Sequence, residues 1–182
     1  MGMAAPVYYT ADMVRALPDD GNRYETVHGE LLVTPAPRAL HQLVVQRLLA
    51  ALRDYLDRHP VGVVWQSPAD ISWGDDTLVQ PDLFVVDTEQ ARTMDWAQMK
   101  TLQLVIEVSS PSTARHDRFA KRRLYQEQRI PLYWIVDADS ATIDVWRPEL
   151  QFPEIERERV SWRPAETVTP LTIELSDLLK PL

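Results

Sequence analysis

Cysteine is absent from the 182 residues. That excludes a disulfide framework, thiolate zinc sites and a cysteine nucleophile, and it fits a reducing cytoplasm. Glycine occurs only five times, and no glycine-rich loop exists to cradle a phosphate with backbone N–H groups. The four histidines lack zinc-ligand spacing. No apolar run is long enough to cross a bilayer, so no membrane partner is expected. Met1 to Thr10 lacks the basic flank and apolar stretch of a secretory signal. Pro6 also stands where a myristoylation motif beginning at Gly2 requires Ser or Thr. Positive charge is the minority: 19 Lys and Arg face 27 Asp and Glu, a net −8. Taken globally, this argues against a nonspecific binder of polyanions.

What is present suits an ordinary globular chain, 45% hydrophobic and 25% charged, and its length predicts one domain over residues 1–182. The positive charge that exists is concentrated. Arg115, Arg118, Lys121, Arg122, Arg123 and Arg129 face only Asp117 and Glu127, a local +4 on an acidic body. Arg115, Arg118, Arg122 and Arg123 are therefore candidates to meet phosphates; the plainer reading is a solvated helix face.

Local signals mark the elements. Thr10 can cap a short helix that Pro18 ends. Arg23 to Val27 and Glu30 to Thr34 flank His28-Gly29 as a hairpin. Leu40, Val44, Leu48, Leu52 and Leu56 recur at helical spacing within a helix over about Ala39 to Arg58. Strands follow at Val61 to Gln66, Ala69 to Trp73 and Thr77 to Val86, then at Leu102 to Ser109 after a polar connection. Ser112 or Thr113 can cap a helix over about Ala114 to Gln128. Leu132 to Asp137 and Thr142 to Trp146 pair around Asp139-Ser140, and the tail adds strands and a short helix near Ser176 to Leu179. The order predicts an α/β (α+β) fold, a mixed sheet with helices against it and extra strands at both ends.

Two acids interrupt apolar strands. Glu107 lies inside Leu104-Val105-Ile106-Glu107-Val108-Ser109 and shares a strand face with Val105 and Ser109. Asp82 follows Pro81, which cannot donate to a sheet ladder and so marks an edge, a bulge or an opened pairing. If the two strands are neighbours, the acids converge. Close carboxylates repel unless a cation joins them, and hard oxygen donors suit Mg²⁺ or Mn²⁺. Asp117, Lys121, Tyr125 and Gln128 form one stripe of the following helix, which lets the Lys121 ammonium reach the Glu107 strand. Glu107 could instead form a structural ion pair with Lys121 or an arginine, and Asp82 could serve an Asx turn.

Pro81-Asp82, Glu107-Val108-Ser109-Ser110-Pro111-Ser112-Thr113, Asp117, Lys121, Tyr125 and Tyr133-Trp134-Ile135-Val136-Asp137 together resemble the Uma-type restriction-endonuclease family of the PD-(D/E)XK nuclease superfamily. The likeness runs from about Tyr24 to Leu179 and takes in Tyr24-Glu25, Gly29-Glu30 and His41. It implies a restriction-endonuclease-like mixed sheet flanked by helices, divalent-metal dependence and hydrolysis of DNA phosphodiesters. It further implies a metal held by Asp82, Glu107 and the carbonyl of Val108, with Lys121 orienting the attacking water. The ordinary motif places its lysine two residues after the second acid, where this chain has Ser109; Lys121 is the migrated equivalent. Glu30, His41, Asp117 and Tyr125 are candidates to support the pocket, His41 against phosphate or Glu30 and Tyr125 through its hydroxyl on a site acid; Glu30 reads equally as an ordinary exposed strand residue, and His41 as a polar residue at the helix start. Cutting a duplex implies a homodimer or higher homo-oligomer. The competing readings are an inactive nucleic-acid-binding or protein-interaction module on the same fold, and a metal hydrolase of small phosphodiesters.

Overall fold

The computed structural model describes residues 7–182; the reading of Met1 to Pro6 lies outside the described residues. Helix α1 (Ala11–Arg15) starts where the Thr10 hydroxyl accepts from the Met13 N–H. Strands β1 (Arg23–Val27) and β2 (Glu30–Thr34) form the expected hairpin. Its turn needs positive φ at both His28 (50°) and Gly29 (79°), a conformation glycine adopts without steric cost.

Helix α2 (Ala39–Arg58) buries Val44, Val45, Leu48, Leu52, Tyr55 and Leu56 on one face, while Leu40 at its start stays exposed. Strands β3 (Val63–Gln66) and β4 (Ile71–Gly74) follow. The strand expected over Thr77 to Val86 is in fact two: β5 (Thr77–Val79) and β6 (Leu83–Val86). Gln80-Pro81-Asp82 separates them, because Pro81 has no N–H to offer a ladder. The two halves enter different sheets. β5 joins a four-stranded antiparallel sheet in the order β2-β1-β5-β4. β6 joins a six-stranded sheet with β7 (Leu102–Ser109), β8 (Tyr133–Asp137), β9 (Thr142–Trp146) and β10 (Glu154–Glu156), in the order β10-β9-β8-β7-β6-β3. Within it β7 and β8 are parallel and the other pairings antiparallel, so the sheet is mixed. The polar connection before β7 holds a short helix, α3 (Thr88–Arg92), capped by Asp87, and a 3₁₀ turn (Trp96–Gln98).

Strand alternation sorts the core onto two faces of the large sheet. Leu83, Val85, Leu104, Ile106, Val108, Trp134 and Val136 pack against α2 and against β11 (Arg159–Trp162), β12 (Leu171–Glu174) and α5 (Leu175–Leu178). Phe84, Val86, Val105, Tyr133 and Ile135 pack on the opposite side with Leu124 and Tyr125 of α4 (Arg122–Glu127). Glu107 shares the parity of Val105, so it points toward the helix that carries Lys121.

That helix departs from the regular one expected over about Ala114 to Gln128. His116–Lys121 is a π-helical turn that runs directly into α4. The Arg122 N–H reaches back five residues to the Asp117 carbonyl, which also accepts from the Tyr133 hydroxyl at 3.0 Å. A side chain bonded to a helix carbonyl is a known cause of such local widening.

Candidate active site

The break after β5 delivers Asp82 to the head of β6, beside β7, where Leu83 pairs with Ile106. Its carboxylate is fully engaged. Oδ1 accepts from Arg23 Nη1 at 2.9 Å; Oδ2 accepts from the Val108 N–H at 2.8 Å and lies 3.0 Å from His41 Nε2. Burial pushes the Asp82 pKa up, but the His41 hydrogen bond and the Arg23 charge outweigh burial and hold it below the usual carboxylate range.

Glu107 is 1% exposed, and its Oε1 accepts from Lys121 Nζ at 2.9 Å and from the Tyr125 hydroxyl at 3.2 Å. Burial pushes its pKa up to about 8; Lys121 opposes the shift, while Asp82, Asp117 and Glu25 add to it. Lys121 is 2% exposed and bridges two acids, because Glu25 Oε1 lies 2.9 Å from the same ammonium. Burial lowers the Lys121 pKa, yet Glu107 and Glu25 more than offset this and keep it cationic. Asp117 is buried on the same helix stripe, its Oδ2 without a hydrogen-bond partner among the described residues, and burial raises its pKa against the Lys121 charge and a Thr113 hydrogen bond.

Glu25 and Arg23 carry more of the site than their sequence context announces. Both lie on one face of β1, two residues apart. Glu25 is completely buried; besides Lys121, its Oε1 accepts from the Gln80 N–H at 2.7 Å, and among the described residues its Oε2 has no hydrogen-bond partner. Arg23 Nη1 also donates to the Gln80 carbonyl at 3.1 Å, and its Nε stands 3.8 Å from Glu25 Oε2. The small sheet thus reaches across the strand break and inserts one acid and one base between Asp82 and Glu107. The period-two placement of Glu25 with the buried Val27 was the available signal.

Glu30, expected at the pocket, is instead exposed at the start of β2, and among the described residues it forms no hydrogen bond or ion pair with this group. Its position beside the hairpin turn carries it to solvent, and Glu25 holds the inner place. His41 does reach the group, but its partner is Asp82, not Glu30. Val108 contributes its N–H to Asp82. Ser109 keeps an unpartnered buried hydroxyl at the position where the ordinary motif has its lysine.

A cleft of about 900 Å³ opens over Asp82. Its wall includes Arg15, Arg23, Arg38, His41 and the Ser110 to Thr113 turn, whereas Glu107 and Lys121 are buried and do not line it. The expected phosphate contacts Arg115, Arg118, Arg122 and Arg123 do not line it. Three of them have nearer partners: Arg118 pairs with Asp137 and Asp144, Arg122 bonds Gln126 and sits 4.7 Å over the Trp146 ring, and Arg123 pairs with Glu127. Arg122 and Arg123 are adjacent helix positions, so these two side chains project in different directions.

Glu25, Asp82, Glu107 and Asp117 set four buried carboxyls against two permanent cations, Arg23 and Lys121. Among the described residues no group of three or more His, Asp or Glu side chains stands arranged to hold a metal ion. No helix among them is long and apolar enough to cross a membrane.

The family model Uma2, described as "Putative restriction endonuclease", matches residues 11–176. No curated protein matches the chain. Among solved structures, that of "a putative nuclease belonging to DUF820 from Anabaena variabilis ATCC 29413" superposes with a TM-score of 0.78 at 18% sequence identity, covering 94% of this chain and 97% of that one. The likeness establishes a shared restriction-endonuclease-like fold, a mixed sheet flanked by helices.

Proposed function

The chain belongs to the Uma2 family, and we propose that it is a divalent-metal-dependent endodeoxyribonuclease whose centre is Asp82, Glu107 and Lys121. The single observation that carries this reading is one polar network that links Asp82 at the head of β6, Glu107 of β7 and Lys121 of the π-helical turn. Lys121 touches Glu107 directly, and Asp82 is joined to it through the Val108 N–H and through Arg23 and Glu25.

The donor set fits Mg²⁺ or Mn²⁺. The carboxylates supply hard oxygen atoms, and with all four acids ionised, as a bound dication would favour, they would exceed Arg23 and Lys121 by two charges before His41 is counted. The unpartnered Glu25 Oε2 and Asp117 Oδ2 point the same way. Asp82 and Glu107, with the carbonyl of Val108, would hold the ion. When bound, it would neutralise the scissile phosphate and acidify a water molecule.

The remaining work belongs to the protein. Lys121 spends two ammonium protons on Glu25 and Glu107 and keeps a third to orient the attacking water and stabilise charge growing on the phosphoryl oxygens. Tyr125 fixes Glu107, and His41 fixes Asp82. Water oxygen forms the new P–O bond as the bond to the 3′-oxygen breaks, leaving a 5′-phosphate and a 3′-hydroxyl. Arg15, Arg23 and Arg38 are the cleft-wall cations that would meet a DNA strand, on releasing their acid partners. In this reading residues 1–182 form one domain, which acts in the cytoplasm as a homodimer or higher homo-oligomer.

The test is cleavage of plasmid and branched DNA in Mg²⁺ and Mn²⁺, lost in Asp82→Ala, Glu107→Ala and Lys121→Ala. Full cleavage by all three folded variants would overturn the assignment. One observation favours a second reading, an inactive nucleic-acid-binding module: both Asp82 oxygens are already satisfied by protein donors. Salt-sensitive DNA binding with no turnover in either metal would select it.

A further inference from the structure

We propose that Arg23 is a resident counter-ion that competes with a divalent cation for Asp82 and thereby sets how readily the centre takes up metal. The inference rests on the reading of Asp82 and Glu107 as metal-holding residues. Two oxygens define the competition. Oδ2 of Asp82 is held by the Val108 N–H and His41, whereas Oδ1 has Arg23 as its sole hydrogen-bond donor among the described residues.

Arg23 is the member of the network best placed to yield. Its side chain is 19% exposed and lines the cleft, against 5% for the Asp82 side chain and 2% for that of Lys121. It is anchored on the cleft side by the Gln80 carbonyl at 3.1 Å and the Ser67 hydroxyl at 3.4 Å, so it can retain contacts there after releasing the carboxylate. Lys121 cannot substitute for it at Asp82, being bonded to Glu25 and Glu107. The arrangement also accounts for the lack of a ready cluster of three ligands: a guanidinium stands between Asp82 and Glu25. A fixed cation so close to a carboxylate opposes the arrival of a second cation by direct electrostatic repulsion and by occupying its acceptor.

Mn²⁺ binding to the full chain, followed by the loss of the free-ion electron paramagnetic resonance signal, tests this without reference to activity. Arg23→Gln is expected to bind Mn²⁺ at least tenfold more tightly than the natural chain. Arg23→Lys keeps the charge but puts a single ammonium in place of a guanidinium whose Nη1 contacts Ser67, Gln80 and Asp82 while its Nε faces Glu25, so it should bind about threefold more tightly and carries the test if Arg23→Gln does not fold. Adding Asp82→Asn to either variant should abolish the gain. If the natural chain binds Mn²⁺ and the folded Arg23 variants bind it no more tightly, the inference fails while the metal reading stands. A gain that survives Asp82→Asn also overturns it. If no variant binds Mn²⁺ at millimolar concentration, both fall.

Discussion

Lys121 is a buried ammonium held between two buried carboxylates, and the partners it would leave behind dominate the cost of removing it. Lys121→Met should destabilise the fold by about 3–5 kcal/mol, because Glu25 and Glu107 would lose their shared cation inside the protein. Urea unfolding measures this, and a loss below about 1 kcal/mol would mean that the acids do not depend on the lysine. Glu107 sets a pH dependence opposite in sign to that of an ordinary paired carboxylate. Its folded pKa is raised from 4.5 to about 8 by burial, so between those values the unfolded chain has released a proton that the folded chain retains. Stability contributed by this group is complete below the lower value and is lost as pH rises through the upper one. Asp82, held low, contributes above its ordinary range and loses that contribution only in acid. Metal-free unfolding midpoints should therefore fall from pH 5 to pH 8, and Glu107→Gln should flatten the slope. An unchanged slope in that variant would assign it to another group.

At the scale of elements, the decisive features are interruptions. Pro81 divides one apolar stretch between two sheets, which carries Glu25 and Arg23 of β1 to the strand that bears Asp82. The π-helical turn sets Lys121 at the end of a widened helix segment whose Asp117 carbonyl is shared with the Tyr133 hydroxyl. Tyr133→Phe should cost about 1 kcal/mol, the worth of one hydrogen bond lost from a buried position, and hydrogen exchange should rise selectively over His116 to Lys121. Uniform protection across that segment in the variant would dissociate the widening from Tyr133. The periodicity of Leu48 and Leu52 made α2 legible, since a repeat of apolar side chains every three or four residues needs only local chain geometry. Strand parity likewise placed Glu107 opposite the helix. No local rule distinguishes a π-helical turn from an α-helical one, because the competing donor comes from a strand beyond the helix.

For the whole molecule, the net charge of −8 means that any DNA contact must be confined to a local positive surface. The candidate is the cleft wall, where Arg15, Arg23 and Arg38 from the N-terminal third of the chain stand beside Asp19, Asp70 and Asp82, so DNA would have to draw these arginines from their acid partners. The dense basic run near Arg122 lies elsewhere, outside the cleft lining. Arg38→Ala should weaken DNA binding and reduce the slope of log affinity against log salt by about one. Arg123→Ala should leave both unchanged. Equal effects of the two would move the DNA from the cleft to the helix.

The sequence alone determined where the long helix α2 and the first hairpin lie, that Glu107 interrupts an apolar strand, that Pro81 before Asp82 disturbs a ladder, and that Lys121 shares a stripe with Asp117 and Tyr125. Apart from Pro81, each of these is written in spacings of two to four residues, which backbone geometry converts directly into a shared face. Tertiary structure decided the partners: Glu25 beneath Lys121, Arg23 and His41 on Asp82, Glu30 left in solvent, and the cleft cations. Those contacts join residues that are dozens of positions apart. They depend on which strands become neighbours, and burial selects that order by matching apolar faces, a condition met only when the whole chain is packed.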